Sequence, residues 1–142
     1  MILKDVTVAN FKCIEDSGQV QIGGITCLVG KNESGKTAFL HALERLKPVE
    51  GRSPSFEQME YPRRKHTAYK RQHADNPAVV VQATFALTDG EMEQLDARYG
   101  EGILKDLDVV VSRGYNNQNA YAFEVNERAA VKKCVEQADI PS

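Results

Sequence analysis

The chain has 142 residues, 42% of them hydrophobic and 27% charged, which at roughly 150 residues per domain points to one globular domain with its own core. Eighteen Lys and Arg against twenty Asp and Glu leave a net charge of −2, so the overall field selects no polyanionic partner and any nucleic-acid contact must come from a local patch. No apolar run reaches the roughly 18 residues of a membrane span, and Lys4 and Asp5 fall where a signal peptide needs its apolar stretch, so a soluble, cytoplasmic protein is expected.

In Val6-Thr7-Val8-Ala9-Asn10-Phe11 the side chains alternate with a period of two, and Val20 and Ile22 resume the alternation after Asp16-Ser17-Gly18, which predicts an antiparallel strand pair. Ile25-Thr26-Cys27-Leu28-Val29, almost continuously apolar between two glycines, predicts a strand covered on both faces. From Thr37 to Lys47 the residues Phe39, Leu40, Ala42, Leu43 and Leu46 fall at helical spacing, and Pro48 disfavours helix at its predecessor. Residues 48–77 carry all but one of the prolines and no sustained period, which predicts a long loop or insertion. Ala78 to Leu87 alternates again, with Val79, Val81, Ala83, Phe85 and Leu87 on one face. Thr88 and Glu91 form a capping-box pattern ahead of about three helical turns that Gly100 stops. Leu107 to Ser112 and Ala120 to Val125 flank Asn116-Asn117-Gln118-Asn119 as a β-hairpin would, and Val131, Cys134, Val135 and Ala138 predict a last helix. Cys13, Cys27 and Cys134 are widely spaced and form no C-x-x-C pair, so they are expected to be reduced packing residues.

One motif carries chemistry. Gly30-Lys31-Asn32-Glu33-Ser34-Gly35-Lys36-Thr37 matches G-x-x-x-x-G-K-[ST] in full, after an apolar run and at the start of a helix, where the pattern has mechanical meaning. The glycines let consecutive N–H groups turn inward at phosphate oxygens, and the helix N-terminus adds free donors and the positive end of its dipole. Lys36 would reach the β- and γ-phosphates of ATP, and the Thr37 hydroxyl would ligate Mg²⁺. A guanine-selecting N-K-x-D is absent from the sequence, and the βα alternation of a small-molecule kinase does not follow the helix.

The wording V-T-V-A-N-F-K-C followed by I-T-C-L-V-G-K-N-E-S-G-K-T-A-F-L-H-A-L resembles the N-terminal nucleotide-binding lobe of ABC-type ATPases of the SMC, RecF and OLD group. The P-loop wording is most similar to OLD-type, AAA-annotated ATPases of DNA repair and phage defence. The resemblance covers residues 1–50. It implies an α/β fold, the N-terminal lobe of an ABC/SMC-like P-loop NTPase head with an antiparallel β subregion. Residues 1–50 would hold the strand pair, P-loop and helix, 51–77 an irregular basic loop, and 78–142 antiparallel strands and helices. It further implies that Lys12, in the Asn10-Phe11-Lys12 step, approaches the adenine side or the α-phosphate, unless it is a solvated strand-end lysine. The group's Asp-Glu strand end and L-S-G-G-type signature are not found in the sequence, so a truncated lobe is expected, completed by a C-terminal half and a second head, with a homodimer as the complete form. On that reading the chain is part of an ATPase and inactive alone. Gln58 and Gln82 are the candidates for the glutamine that senses γ-phosphate through Mg²⁺.

Between Pro62 and His73 lie Arg63, Arg64, Lys65, Lys70 and Arg71, with Tyr69 among them and no acid. Such a segment fits DNA phosphates with Tyr69 stacking, or an arginine reaching a nucleotide, or a solvated loop paired with Asp89, Glu91, Glu93 and Asp96. Two functions therefore stand: a Mg·ATP-binding ATPase part, and a non-hydrolysing module that binds nucleic acid or protein through residues 63–71.

Overall fold

The structure is a computed structural model that describes residues 1–46 and 54–138. Its hub is β1 (Ile2–Phe11), which pairs antiparallel with β4 (Val79–Ala86) along one edge. The other edge of β1 takes two short strands, β2 (Ile14–Asp16) and β3 (Val20–Gln21), both antiparallel. β5 (Asp108–Gly114) continues from β4 and β6 (Asn119–Ala122) from β5, giving the order β2-β1-β4-β5-β6 with β3 beside β1. The expected N-terminal strand pair and the hairpin are both present, and Asn117 turns the hairpin at φ 57°.

Helix α1 (Lys36–Leu46) lies across this sheet and buries Ala38, Phe39, Ala42 and Leu46 against Val6, Val8, Phe11, Val81, Ala83 and Val111. The apolar positions come at three- and four-residue intervals, so one stripe of the helix meets one face of the sheet. Lys47 and Pro48, where the sequence places its end, lie outside the described residues. The fold is thus α/β, an antiparallel sheet with helices, as the sequence predicts.

Four expectations need correction. Ile25 to Val29 forms no strand; Ile25 is 92% and Val29 93% exposed, because among the described residues no strand lies beside them, and of the five only Leu28 packs toward the core. Val79 does not face inward. The register of β4 shifts between Val79 and Val81, where Gly114 comes so close to the Ala78 backbone that a Cβ would not fit, and this bulge buries Val80 and exposes Val79. Residues 54–77 are not an open loop: two 3₁₀ turns, Gln58–Glu60 and Arg63–Lys65, lead into α2 (His66–Gln72), anchored by the buried rings of Phe56, Tyr61 and Tyr69. All three cysteines are free, but each is exposed and none packs in the core.

The remaining helices follow their caps. Thr88 and Glu91 close the capping box of α3 (Asp89–Tyr99), and Gly100 ends it at φ 102°. Asn126 accepts a hydrogen bond from the Ala129 amide at the start of α4 (Glu127–Gln137). Among the described residues no helix is long and apolar enough to cross a membrane.

Candidate functional site: the glycine-rich loop and its rim

The loop between the exposed segment and α1 turns through Glu33 at φ 73° and Gly35 at φ 90°. Only glycine enters that region at no steric cost. A Cβ on Gly35 would stand 3.0 Å from Ile14 Cγ1 and 3.4 Å from Cys13 Sγ, and one on Gly30 would stand 2.8 Å from Ser34 Oγ. Gly35 is therefore favoured twice, by its positive φ and by its tight neighbours, whereas at Gly30 the close atom is the end of a side chain that can turn away. The Ser34 amide donates to the Lys31 carbonyl at 3.2 Å, and the Phe39 amide makes the 2.8 Å bond to Gly35 that opens the helix. The N–H groups ahead of it, in the first turn, have no intrahelical acceptor and are open to an anion, as at helix N-termini generally.

Lys36 folds back over this loop. Its ammonium donates to the carbonyls of Gly30 at 2.5 Å and Lys31 at 2.7 Å, with Ser34 Oγ 3.4 Å away. Thr37 is exposed at the start of α1. Asn32, Glu33, Gly35, Lys36 and Thr37 line a cleft of ≈ 400 Å³ with Lys12 and Cys13. Gly30 and Ser34 line a second cleft, ≈ 550 Å³, on the β2 side. Lys31 contributes its carbonyl and is otherwise exposed.

The structure brings Lys12 to the rim of the loop. Asn10 at φ 56° and Lys12 at φ 54° bend the chain on either side of Phe11, which is fully buried, so the lysine is thrown outward as the ring is held inward. Its amide donates to the Glu60 carbonyl at 2.5 Å, and its ammonium stands 3.8 Å from Glu60 Oε1 and 5.1 Å from the centre of the Phe11 ring.

Glu60 escaped the sequence reading, because a single acid before Tyr61-Pro62 matches no motif. Arg45 of α1 grips its carboxylate with both terminal guanidinium nitrogens, at 2.5 and 3.1 Å, and the Glu57 amide adds a bond of 3.1 Å. Burial works against the charge, but Arg45, the Glu57 amide and Lys12 outweigh it and hold the carboxyl below the usual carboxylate range.

Arg63 and Arg64 line a third cleft, ≈ 670 Å³, together with Lys12, Cys13, Glu15 and Glu60. Lys65 pairs with Glu15 at 3.1 Å, while Lys70 and Arg71 stand exposed on α2. Tyr69 is not free to stack on a base. It is 7% exposed, packed 4.7 Å from the Tyr61 ring and 5.9 Å from that of Tyr115. The acidic helix α3 is not the basic segment's partner in the described ion pairs, since Glu91 holds the N-terminal ammonium instead. Gln58 lies in a 3₁₀ turn and Gln82 on β4, both exposed and neither lining the clefts around the loop.

No cluster of three metal-ligating side chains occurs among the described residues. The loop nonetheless fits a nucleotide phosphate with Mg²⁺: a glycine at positive φ with little room for a Cβ, an ammonium folded over the loop and a hydroxyl at the helix start. The phosphate would sit on the loop amides and Lys36, and Mg²⁺ would take the Thr37 hydroxyl with water and phosphate oxygens, neutralising charge on the phosphates.

No curated protein matches the chain. Among solved structures, one from work on the ATP-driven dimerization and DNA-stimulated activation of SMC ATPases aligns with 99% of this chain and 81% of its own, at 14% identity and a TM-score of 0.49. A family model described as an AAA ATPase domain matches residues 1–137, the glycine-rich loop among them. The chain belongs to this AAA ATPase domain family, a family of ATP-binding ATPases.

Proposed function

We propose that the chain binds Mg·ATP through residues Gly30 to Thr37. Lys36 meets the β- and γ-phosphates, Thr37 takes the metal, and Lys12 approaches from the rim. The observation that carries this reading is the Lys36 ammonium held over the loop by the Gly30 and Lys31 carbonyls, with Lys12 and Thr37 on the same cleft. Hydrolysis belongs to a completed head of the SMC, RecF and OLD kind, in which a further lobe adds an acidic strand end and a second head closes over the γ-phosphate, in DNA repair or phage defence. The exposed Ile25 and Val29 support that completion, since they form an apolar edge on the segment that feeds the loop.

The test is thermal unfolding with and without millimolar Mg·ATP, Mg·ADP and Mg·GTP. A ligand at about 100 times its Kd adds roughly 2.7 kcal/mol to the folded state. The adenine nucleotides should raise the midpoint of the wild type and not of Lys36→Ala. Equal shifts in the two proteins, or none in either, would refute the assignment.

A second reading has one observation in its favour: Arg63, Arg64, Lys65, Lys70 and Arg71 are all exposed. DNA held by this segment would bind with a salt slope that falls by about 0.9 for each phosphate contact removed. Arg63→Ala with Arg64→Ala should lower the slope and leave nucleotide stabilisation in place; an unchanged slope would dismiss this reading.

A further inference from the structure

Lys12 borders two clefts. One holds Lys36 and Thr37; the other holds Glu60, Arg63 and Arg64. On the second side its grip is loose, since 3.8 Å from Glu60 Oε1 is an ion pair without a hydrogen bond. Glu60 does not depend on it. Both carboxylate oxygens are already taken by Arg45, and the Glu57 amide adds a third donor. The backbone of Lys12, by contrast, is pinned through its amide to the Glu60 carbonyl. The side chain is therefore free to swing about a fixed point, and the carboxylate it leaves stays satisfied.

We propose that Glu60 is a positioning residue for Lys12: a counter-ion that holds the ammonium at the rim of the phosphate-loop cleft and yields it to a phosphate of the bound nucleotide. This rests on the reading of the loop as a Mg·ATP site. The Lys12 side chain is 39% exposed and that of Glu60 19%, so solvent weakens their attraction and the exchange costs little. A nucleotide phosphate carries more charge than the carboxylate and takes the ammonium in competition. Neutralising Glu60 removes the competitor, and binding should tighten only as long as Lys12 is there to be released.

The experiment is a Mg·ATP titration of four forms of the chain: wild type, Glu60→Gln, Lys12→Met and the double variant. Glu60→Gln should tighten binding about two- to fivefold, the size of one solvent-screened ion pair. In the Lys12→Met background the same change should have an effect below about 1.5-fold, which makes the coupling a property of the pair. Equal tightening in both backgrounds would mean a general field effect and would overturn the proposal, as would no change or weaker binding in Glu60→Gln. Weakening the Arg45 contact should lower the melting temperature and shift binding by the same factor in both Lys12 backgrounds, so a structural role alone would not reproduce the difference between them. If Glu60→Gln does not fold, the Glu60 carboxyl is titrated by ¹³C NMR. Its midpoint should rise on saturation with Mg·ATP by more in the wild type than in Lys12→Met, and equal rises would again overturn the exchange. Failure of the wild type to bind Mg·ATP at all would refute the loop assignment, and the exchange with it.

Discussion

Replacing Gly35 by alanine puts a methyl group where the loop leaves little room. The residue sits at φ +90°, and the new Cβ would stand 3.0 Å from Ile14 Cγ1 and 3.4 Å from Cys13 Sγ. A left-handed backbone costs a non-glycine residue about 1–2 kcal/mol, and crowding the half-buried Ile14 side chain adds about 1–2 kcal/mol. Gly90 is the control within the same chain: it lies in the first turn of α3, with nothing within 4 Å of its added Cβ and no positive φ. Alanine there should stabilise by about 0.4–1 kcal/mol, because it restricts the unfolded chain and favours the helix. At about 4 °C per kcal/mol for a chain of this size, Gly35→Ala should melt roughly 8–16 °C below the wild type and Gly90→Ala roughly 2–4 °C above it. Circular dichroism melting of both variants and of their combination reads this directly, and the two distant effects should add. A Gly35→Ala protein that melts within about 2 °C of the wild type would refute the claim that close approach to Cys13 and Ile14 fixes the loop.

Phe56 is 3% exposed, with its ring 5.4 Å from that of Phe11 and the Arg45 guanidinium 5.2 Å from its centre, so Phe56→Ala should cost about 3–5 kcal/mol in urea unfolding. The Tyr115 hydroxyl donates to the Asn10 carbonyl at 2.6 Å, and Tyr115→Phe should cost about 1 kcal/mol by the same assay. Desolvation first, then the nearby Glu60 charge, pushes the Tyr115 phenol above its ordinary range, so it should ionise only as the chain unfolds in alkali, followed by ultraviolet absorbance. Glu91 is held at about 2 by the N-terminal ammonium, which donates to both carboxylate oxygens, with help from Thr88. Because the folded value lies below the unfolded one, this contact stabilises above about pH 4.5 and its contribution fades as pH falls from there toward 2. Acetylating the amine should move the Glu91 midpoint upward in ¹³C NMR, and an unmoved midpoint would discount the contact.

What the sequence revealed was local. The period of two in β1, the helical stripe of α1, the Thr88–Glu91 box and the Gly-Lys-Thr loop each depend on residues near one another, and each forms where the pattern puts it. The Lys12 placement needed the resemblance as well, and its partner Glu60 was invisible, because they meet only when the chain returns 48 residues later. The burial of Val80 over Val79 depends on Gly114 crossing the Ala78 backbone, a contact between segments with no sequence signature. Ile25 to Val29 has the composition of a covered strand, but a strand is made by its neighbours, and composition does not supply them. In residues 54–77 the prolines read as loop, whereas the aromatic anchors Phe56, Tyr61 and Tyr69 decide the packing.

The pairing of β1 with β4 also sets the order of events during folding. Ile2 pairs with Ala86, so the central ladder closes only when the two ends of a very long segment meet. Until β4 and β5 are in place, α1 has one strand instead of three to lie on, although the whole glycine-rich loop has already been synthesised. A ribosome must release the chain past about residue 114, the end of β5, before the loop acquires its rigid floor. On the proposed reading of the loop, a nucleotide would stabilise the finished sheet and would have little to hold before the long-range pairing of β1 with β4 is made.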